Sequence, residues 1–304
     1  MPEIFWALGK GECVPEARGS VTCYVSVGDT HYGCKLGLMP PVAKLDFDVE
    51  MKQSPLQAIV YRWWREFHDE FVPWATQGNP YVLCHGGDIV DGVHHRSTSQ
   101  ATQDMEAQES IAAHDMMPMV AKAAAYFQLA GTPAHDGESW VSARRIAGML
   151  GACKVEGSDS HLHPELRLMI GDAMIQDTHH VSATGMHKAM PAGVTADAME
   201  QFITAAKSGD DCPQVFLRHH CHHHSRAGGF LRDPNVHWHG VTVPGWQLKG
   251  PYPWKVGARN HLPHFGGVVV RWVTNPFSAG HVEILPYVRG AGPSKPIIVR
   301  GIGQ

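Results

Sequence analysis

The chain has 304 residues, 43% of them hydrophobic and 18% charged, and its 25 Lys and Arg against 29 Asp and Glu give a formal charge of −4. A sizeable buried core follows and global disorder does not. The charge balance argues against a surface built to coat nucleic acid, although a local basic patch is compatible with it.

Histidine is the outlier. Its 22 residues nearly match Lys and Arg together, and many cluster, as at His94-His95, His179-His180 and the run from His219 to His224. Imidazole is the commonest metal-ligand side chain. The seven cysteines form no CxxC pair and are odd in number, which reads as reduced thiols rather than a disulfide framework. The start, Met1 to Trp6, lacks the basic and apolar regions of a secretion signal, and no run reaches the apolar length of a membrane span. The expectation is a soluble, cytoplasmic protein.

In chain order, residues 21–28 alternate and are rich in Val and Tyr, a strand leading into Asp29. Residues 34–52 read as an irregular loop. A helix starts at an N-cap Ser54 with Pro55 first and Gln57 closing a capping box, and Leu56, Ile59, Val60, Trp63, Phe67 and Phe71 form its apolar stripe. Residues 81–84 make a short buried strand ending at His85-Gly86-Gly87-Asp88. A helix over about 100–125 follows, with Pro118 expected to kink or split it.

Residues 126–130 form another strand, ending at Gly131, and 139–150 a helix ending near Gly151. Residues 167–178 suggest two strands joined at Gly171-Asp172, the second running into His179. Thr195 begins a helix to about 207, and 214–218 is a strand entering the histidine run. Strands alternating with helices indicate an α/β sheet. Segments 238–243, 266–273 and 281–288 alternate without helices between them, which predicts antiparallel strands of a second sheet. The expectation is one domain over 1–304, a two-sheet β-sandwich core flanked by helices. Residues 236–304 supply second-sheet strands, and 289–304 a Gly- and Pro-rich tail.

Five short motifs each follow a strand-like run, where the carboxyl ends of sheet strands converge on one crevice. Asp29 and His31, two apart, share a face if the segment is extended, and form a half-site for Mn²⁺, Fe or Zn²⁺; a capping Asp and a surface His are the plain alternative. Asp88 sits on a glycine turn and can bridge two ions or simply stabilise the turn, with Asp91 in support. His135 is a candidate general acid, with Asp136 to orient it. Of His179 and His180 at most one is a ligand if their side chains point opposite ways, and His179 is favoured. His220 and His222 flank Cys221 and can touch two adjacent ions. Arg218 is a candidate phosphate contact, its alternative being plain surface exposure.

In this order the motifs resemble the calcineurin-like metallophosphoesterase superfamily, over about residues 21 to 224. The resemblance implies an α-β-β-α fold with two divalent ions (Mn, Fe or Zn). Asp29, His31, Asp88 and His222 would hold one ion, and Asp88 would bridge to a second held by His179 and His220. His135 would stand beside the leaving group, and a metal-bridging hydroxide would attack the phosphorus of a phosphate ester, foremost a phosphodiester. Two residues depart from the family pattern. Thr132 stands where its metal-binding Asn is expected, with two residues inserted before His135, and is a tentative ligand. His219 replaces the glycine of the last motif. A nuclease of the same superfamily, drawing on Arg96, Arg144, Arg145, Arg218, Arg226 and Arg232, is one rival. Others are a catalytically degenerate metal- or partner-binding protein and a metal-dependent hydrolase acting at carbon. Trp246, Tyr252 and Trp254 are candidates for an exposed dimer contact; the oligomeric state is open.

Overall fold

The computed structural model describes residues 21–94, 97–180, 191–230, 237–250, 262–275 and 278–290. The N-terminal segment with Cys13, together with His95, Arg96, Arg232, Tyr252, Trp254 and tail residues 291–304, lies outside the described residues.

In chain order the first elements are β1 (Cys23–Val27), β2 (Val42–Lys44) and β3 (Glu50–Lys52), then α1 (Pro55–Glu66). A wider helical stretch at Phe67–Phe71 carries α1 into α2 (Val72–Thr76), followed by β4 (Tyr81–His85), α3 (Met105–Val120) and β5 (Ala125–Leu129). Next come α4 (Pro133–Asp136), α5 (Val141–Met149), β6 (Leu162–His163), β7 (Leu166–Ile170), β8 (Ala173–Thr178) and α6 (Pro191–Ser208). The chain continues through β9 (Val215–Arg218), β10 (Ser225–Phe230), β11 (His237–Thr242), β12 (His264–Asn275) and β13 (Ser278–Gly290).

A six-stranded sheet runs β13-β12-β1-β4-β5-β6 and a five-stranded sheet β10-β11-β9-β8-β7, with β2-β3 a separate ribbon. In the first, β1, β4, β5 and β6 are parallel and β12 and β13 antiparallel. In the second, β8, β9 and β11 are parallel, with β7 and β10 antiparallel at the edges. Alternation in β1 divides its side chains between two apolar clusters. Cys23, Val25 and Val27 pack with Val60, Trp64, Phe67, Met116 and Ile146 of the helices. Tyr24 joins Val82 and Phe127 against Leu168, Ile175, Val215, Leu217 and Val241 of the second sheet. Phe216 and Trp238 leave that sheet's other face to meet Ala198 of α6.

The capping box of α1 forms as the spacing predicts: Gln57 N–H donates to Ser54 Oγ, and Ser54 N–H to Gln57 Oε1. The stripe is rotated from the predicted one. Leu56 is 57% exposed, and Trp64 is buried in its place. Pro118 falls in the last turn of α3 without splitting it. Residues 34–52 are not wholly irregular, since β2 and β3 pair there. The larger correction concerns 266–273 and 281–288. Of the three C-terminal segments only 238–243 enters the second sheet; the other two extend the first, through β12 beside β1. β12 has a physical reason to do so. Val269 faces the helical cluster while Val268 and Val270 face the inter-sheet one, and a strand apolar on both faces needs cover on both. Among the described residues no helix is long and apolar enough to cross a membrane.

Candidate metal centre

Loops leaving the carboxyl ends of β1, β4, β5, β8 and β9 carry the candidate residues, and hydrogen bonds stitch those loops together. Asp29 N–H donates to Gly87 O (3.0 Å), His31 N–H to Asp88 O (3.2 Å) and His219 N–H to His179 O (3.1 Å). The backbone at these positions is not the extended one the Asp-x-His spacing suggests. Asp29, His31, Asp88, His220 and His222 all have left-handed φ, between 46° and 68°. Asp and His tolerate that region better than most residues, at a cost of order 1–2 kcal/mol each, and such strain concentrates at functional sites.

Four donor groups result among the described residues: His179, His180 and His220; His31, Asp91 and His135; and two that share Asp29. Asp29, His31 and His222 form the first of those two; Asp29, Asp88, His179 and His220 form the second, with donor atoms inside each group within 4.8 Å of one another. Asp29 is the residue common to both, whereas Asp88 was the expected bridge. His222 Nε2 lies 3.2 Å from Asp29 Oδ1 and 3.2 Å from His31 Nε2. His179 Nε2 lies 3.3 Å from Asp88 Oδ2, and His220 Nδ1 3.9 Å from the same oxygen. Ligands about 2.0–2.1 Å from one ion, at angles between octahedral and tetrahedral, stand about 3.0–3.4 Å apart. Asp29 Oδ1 and His179 Nε2 are buried without a hydrogen-bond partner. These residues therefore fit a divalent ion in each of the two groups that share Asp29.

Electrostatics agree with that fit. Burial opposes ionisation of Asp29, yet His222 and His179 hold its carboxyl well below the usual range. His179 does the same for Asp88 against burial. His179 in turn is lifted to about 10, because Asp88 and Asp29 outweigh burial. A cation would meet the same carboxylates that retain this proton.

Thr132 spends both donors on one oxygen: its N–H and Oγ1–H reach Asp88 Oδ1 at 2.6 and 2.9 Å, leaving Oδ2 for His179 and His220. Asp136 does not orient His135. Its carboxylate accepts the N–H groups of Gly131 (2.9 Å), Ile89 (3.2 Å) and Asp88 (3.3 Å), pinning two loops, and burial with the nearby Asp88 raises it to about 7. The main chain of Asp91 holds His135, accepting from its Nδ1 at 2.7 Å. Burial, then His31, pushes His135 down to about 4. The Asp91 carboxylate takes Gln100 and Gln247 amides (3.0 and 3.1 Å) and lies 3.6 Å from His31 Nδ1, a buried nitrogen without a hydrogen-bond partner, so Asp91 faces a candidate ligand without bonding it.

His179 and His180 both lie past the end of β8, and their rings are 4.9 Å apart, so the opposite-facing arrangement of a strand does not apply to them. Sequence reasoning missed the role of His219. Its fully buried ring fills a slot between Gly28 and Gly86, where a Cβ would fall 2.5 and 2.1 Å from it. His219 Nε2 lies 3.0 Å from Asp177 Oδ1, and that carboxylate also accepts from Tyr24 (2.8 Å) and Ser26 (2.9 Å). The signal was available in the glycines of two motifs and the extra histidine of a third, but only the fold joins them.

Arg218 faces no phosphate. It is 1% exposed and donates to Asp197 (2.7 Å) and Gln176 (2.6 Å), tying β9 to α6 and β8. Trp246 is buried against Trp64 and Phe67, so it offers no dimer contact. Among the described residues Cys23, Cys34 and Cys84 are buried thiols, and Cys212 is half-buried.

No known family matches the chain, and no curated protein does. Solved structures that match include Vps29 of Chaetomium thermophilum, at 10% identity and a TM-score of 0.35, over 90% of this chain and 98% of that one. At that score the likeness carries no argument, and the reading rests on the geometry of the site.

Proposed function

We propose that the chain is a dinuclear-metal hydrolase of phosphate esters, foremost phosphodiesters, on a metallophosphoesterase-like two-sheet fold. The observation that carries this reading is the pair of donor groups sharing Asp29, with contacts of 3.2 Å from His222 to both Asp29 and His31 in one and of 3.3 Å between His179 and Asp88 in the other. Asp29, His31 and His222 would hold one ion, and Asp88, His179 and His220, with Asp29, the other. When bound, such a pair supplies Lewis acidity and an activated water suited to displacement at phosphorus.

The protein's own groups do the rest. His135 keeps a proton on Nδ1 for the Asp91 carbonyl, which leaves Nε2 as the nitrogen that exchanges a proton with the leaving oxygen. Asp136 keeps the Asp88 and Gly131 loops at fixed separation through its three backbone contacts. The nuclease reading is weaker, because Arg218 is withdrawn into the core and Arg145 is paired with Glu109.

The test is hydrolysis of bis-p-nitrophenyl phosphate and p-nitrophenyl phosphate by chelator-stripped protein with Mn²⁺ or Zn²⁺ restored, alongside metal counting. Metal-dependent cleavage with about two ions per chain is expected, the diester turning over faster. One ion or none, with no cleavage, would overturn the proposal and favour a binding role.

A further inference from the structure

We propose that His180 is a ligand of the second ion, taking the coordination place that Thr132 has given up, and that the second position therefore prefers Zn²⁺ to Mn²⁺. The inference rests on the dinuclear reading above and adds a residue and a metal preference to it.

Three observations carry it. First, Thr132 points both of its donors at Asp88 Oδ1, so its side chain braces a carboxylate rather than offering an oxygen to an ion. Second, ring nitrogens of His179, His180 and His220 lie within 4.8 Å of one another, and the three rings form a near-equilateral set with centroids 4.9, 5.0 and 5.2 Å apart. Third, the buried His179 Nε2 has no hydrogen-bond partner and belongs both to this triad and to the group containing Asp88. The left-handed turn at His220 and the bend after β8 bring the rings to this point.

The donor chemistry sets the preference. Exchanging an oxygen ligand for a third imidazole shifts a site away from the harder, oxygen-seeking Mn²⁺ and towards Zn²⁺ and its neighbours. The first group, with one carboxylate and two imidazoles, gains no such ligand. His180 and His220 are both exposed while His179 is buried, so the triad opens to solvent on one side and an ion can enter there.

The experiment uses the full chain, stripped by chelator and titrated with Zn²⁺ or Mn²⁺ alone against a chromophoric competitor. The wild type is compared with His180→Ala, His180→Asn and Thr132→Ala, and folding of each is checked by thermal melting. His180 is exposed, so its variants are expected to fold. In His180→Ala the first Zn²⁺ is expected to bind as in the wild type. The second should weaken by at least about tenfold, on the scale that loss of even a supporting group reaches at metal sites. Mn²⁺ at that position should weaken less, and Thr132→Ala, which removes one hydrogen bond to the Asp88 carboxylate without removing a ligand, should weaken Zn²⁺ and Mn²⁺ there by the same factor.

Unchanged second-Zn²⁺ affinity in His180→Ala overturns the proposal, as does a Thr132→Ala loss that is larger for Mn²⁺ than for Zn²⁺, the mark of a lost oxygen ligand. Equal losses for Zn²⁺ and Mn²⁺ in His180→Ala overturn the preference. A wild-type chain that binds no second ion of either metal overturns the dinuclear reading itself, which separates that failure from failure of the His180 assignment.

Discussion

Two clusters of buried polar groups lie within one sheet of each other and are built to opposite rules. Around Arg218 every contact is closed: the guanidinium gives one hydrogen bond to Asp197, one to the Gln176 side chain and two to backbone carbonyls. At the ends of β1, β4 and β8 buried polar atoms are left without a hydrogen-bond partner, as at Asp29 Oδ1 and His179 Nε2. A satisfied buried network holds the fold, whereas an unsatisfied one needs something else to complete it. Orphaned atoms away from the site include the indole N–H groups of Trp64, Trp246 and Trp272, which carry no lone pair for an ion, and Nε2 of His68.

The largest effect should come from opening the closed cluster. Asp197→Ala leaves a buried guanidinium without its carboxylate and is expected to lower stability by roughly 3–5 kcal/mol, with turnover per folded molecule unchanged. Urea unfolding alongside the hydrolysis assay checks both halves. A stable variant, or one that loses turnover while folded, would erase the distinction between the clusters.

Opening the other cluster should do the reverse. Asp88→Asn is expected to cut hydrolysis by more than about 10²-fold, the scale at which even the supporting partners of a metal ligand count. The fold should persist, because Thr132 and Asp136 still hold the loop. Circular dichroism and metal counting accompany the rate measurement. Undiminished turnover would contradict the assignment.

Completing the open cluster should stabilise it. At an ion concentration a hundredfold above Kd the gain is about 2.7 kcal/mol. This appears as a rise of roughly 5 °C or more in the melting temperature of stripped protein on adding Zn²⁺. No rise would mean that the orphaned atoms are not waiting for a cation.

The smallest effect concerns His68, an orphaned imidazole outside the site, packed edge-on against Trp64 and Phe67. Burial lowers it to about 3, so the unfolded chain takes up a proton between pH 6.5 and about 3 that the folded chain refuses. Its contribution is fully present above pH 6.5 and is lost as pH falls, by about 1 kcal/mol per unit near pH 5. His68→Leu should flatten that slope in acid titrations of stability, with no change in metal content.

Legibility in the sequence followed how local each cause was. The runs that become β1, β4 and β5 read as strands because each is apolar and ends in a Gly or Asp turn. β10, with Ser225 to Phe230 lacking any alternation, takes its form from pairing with β11. The C-terminal segments were readable as strands, but alternation names no partner, and two of them joined the first sheet. Likewise Asp29, His31, Asp88, His179, His220 and His222 were readable as motif residues. Their left-handed backbone, the approach of Asp91 to His31 and the wedging of His219 between Gly28 and Gly86 are spatial facts that no spacing encodes.

The left-handed turns at Asp29, His31, Asp88, His220 and His222 have an evolutionary consequence. Glycine enters that region freely, so replacing any of these residues by glycine removes a candidate donor and relieves the backbone in one step, about 1 kcal/mol at a time. At Asp29 and Asp88 that relief is offset, because their carboxylates accept the N–H groups of His220 and Thr132 and the change would leave those donors unpaired. Under the proposed function, the need for imidazole at His31, His220 and His222 would oppose that drift to glycine.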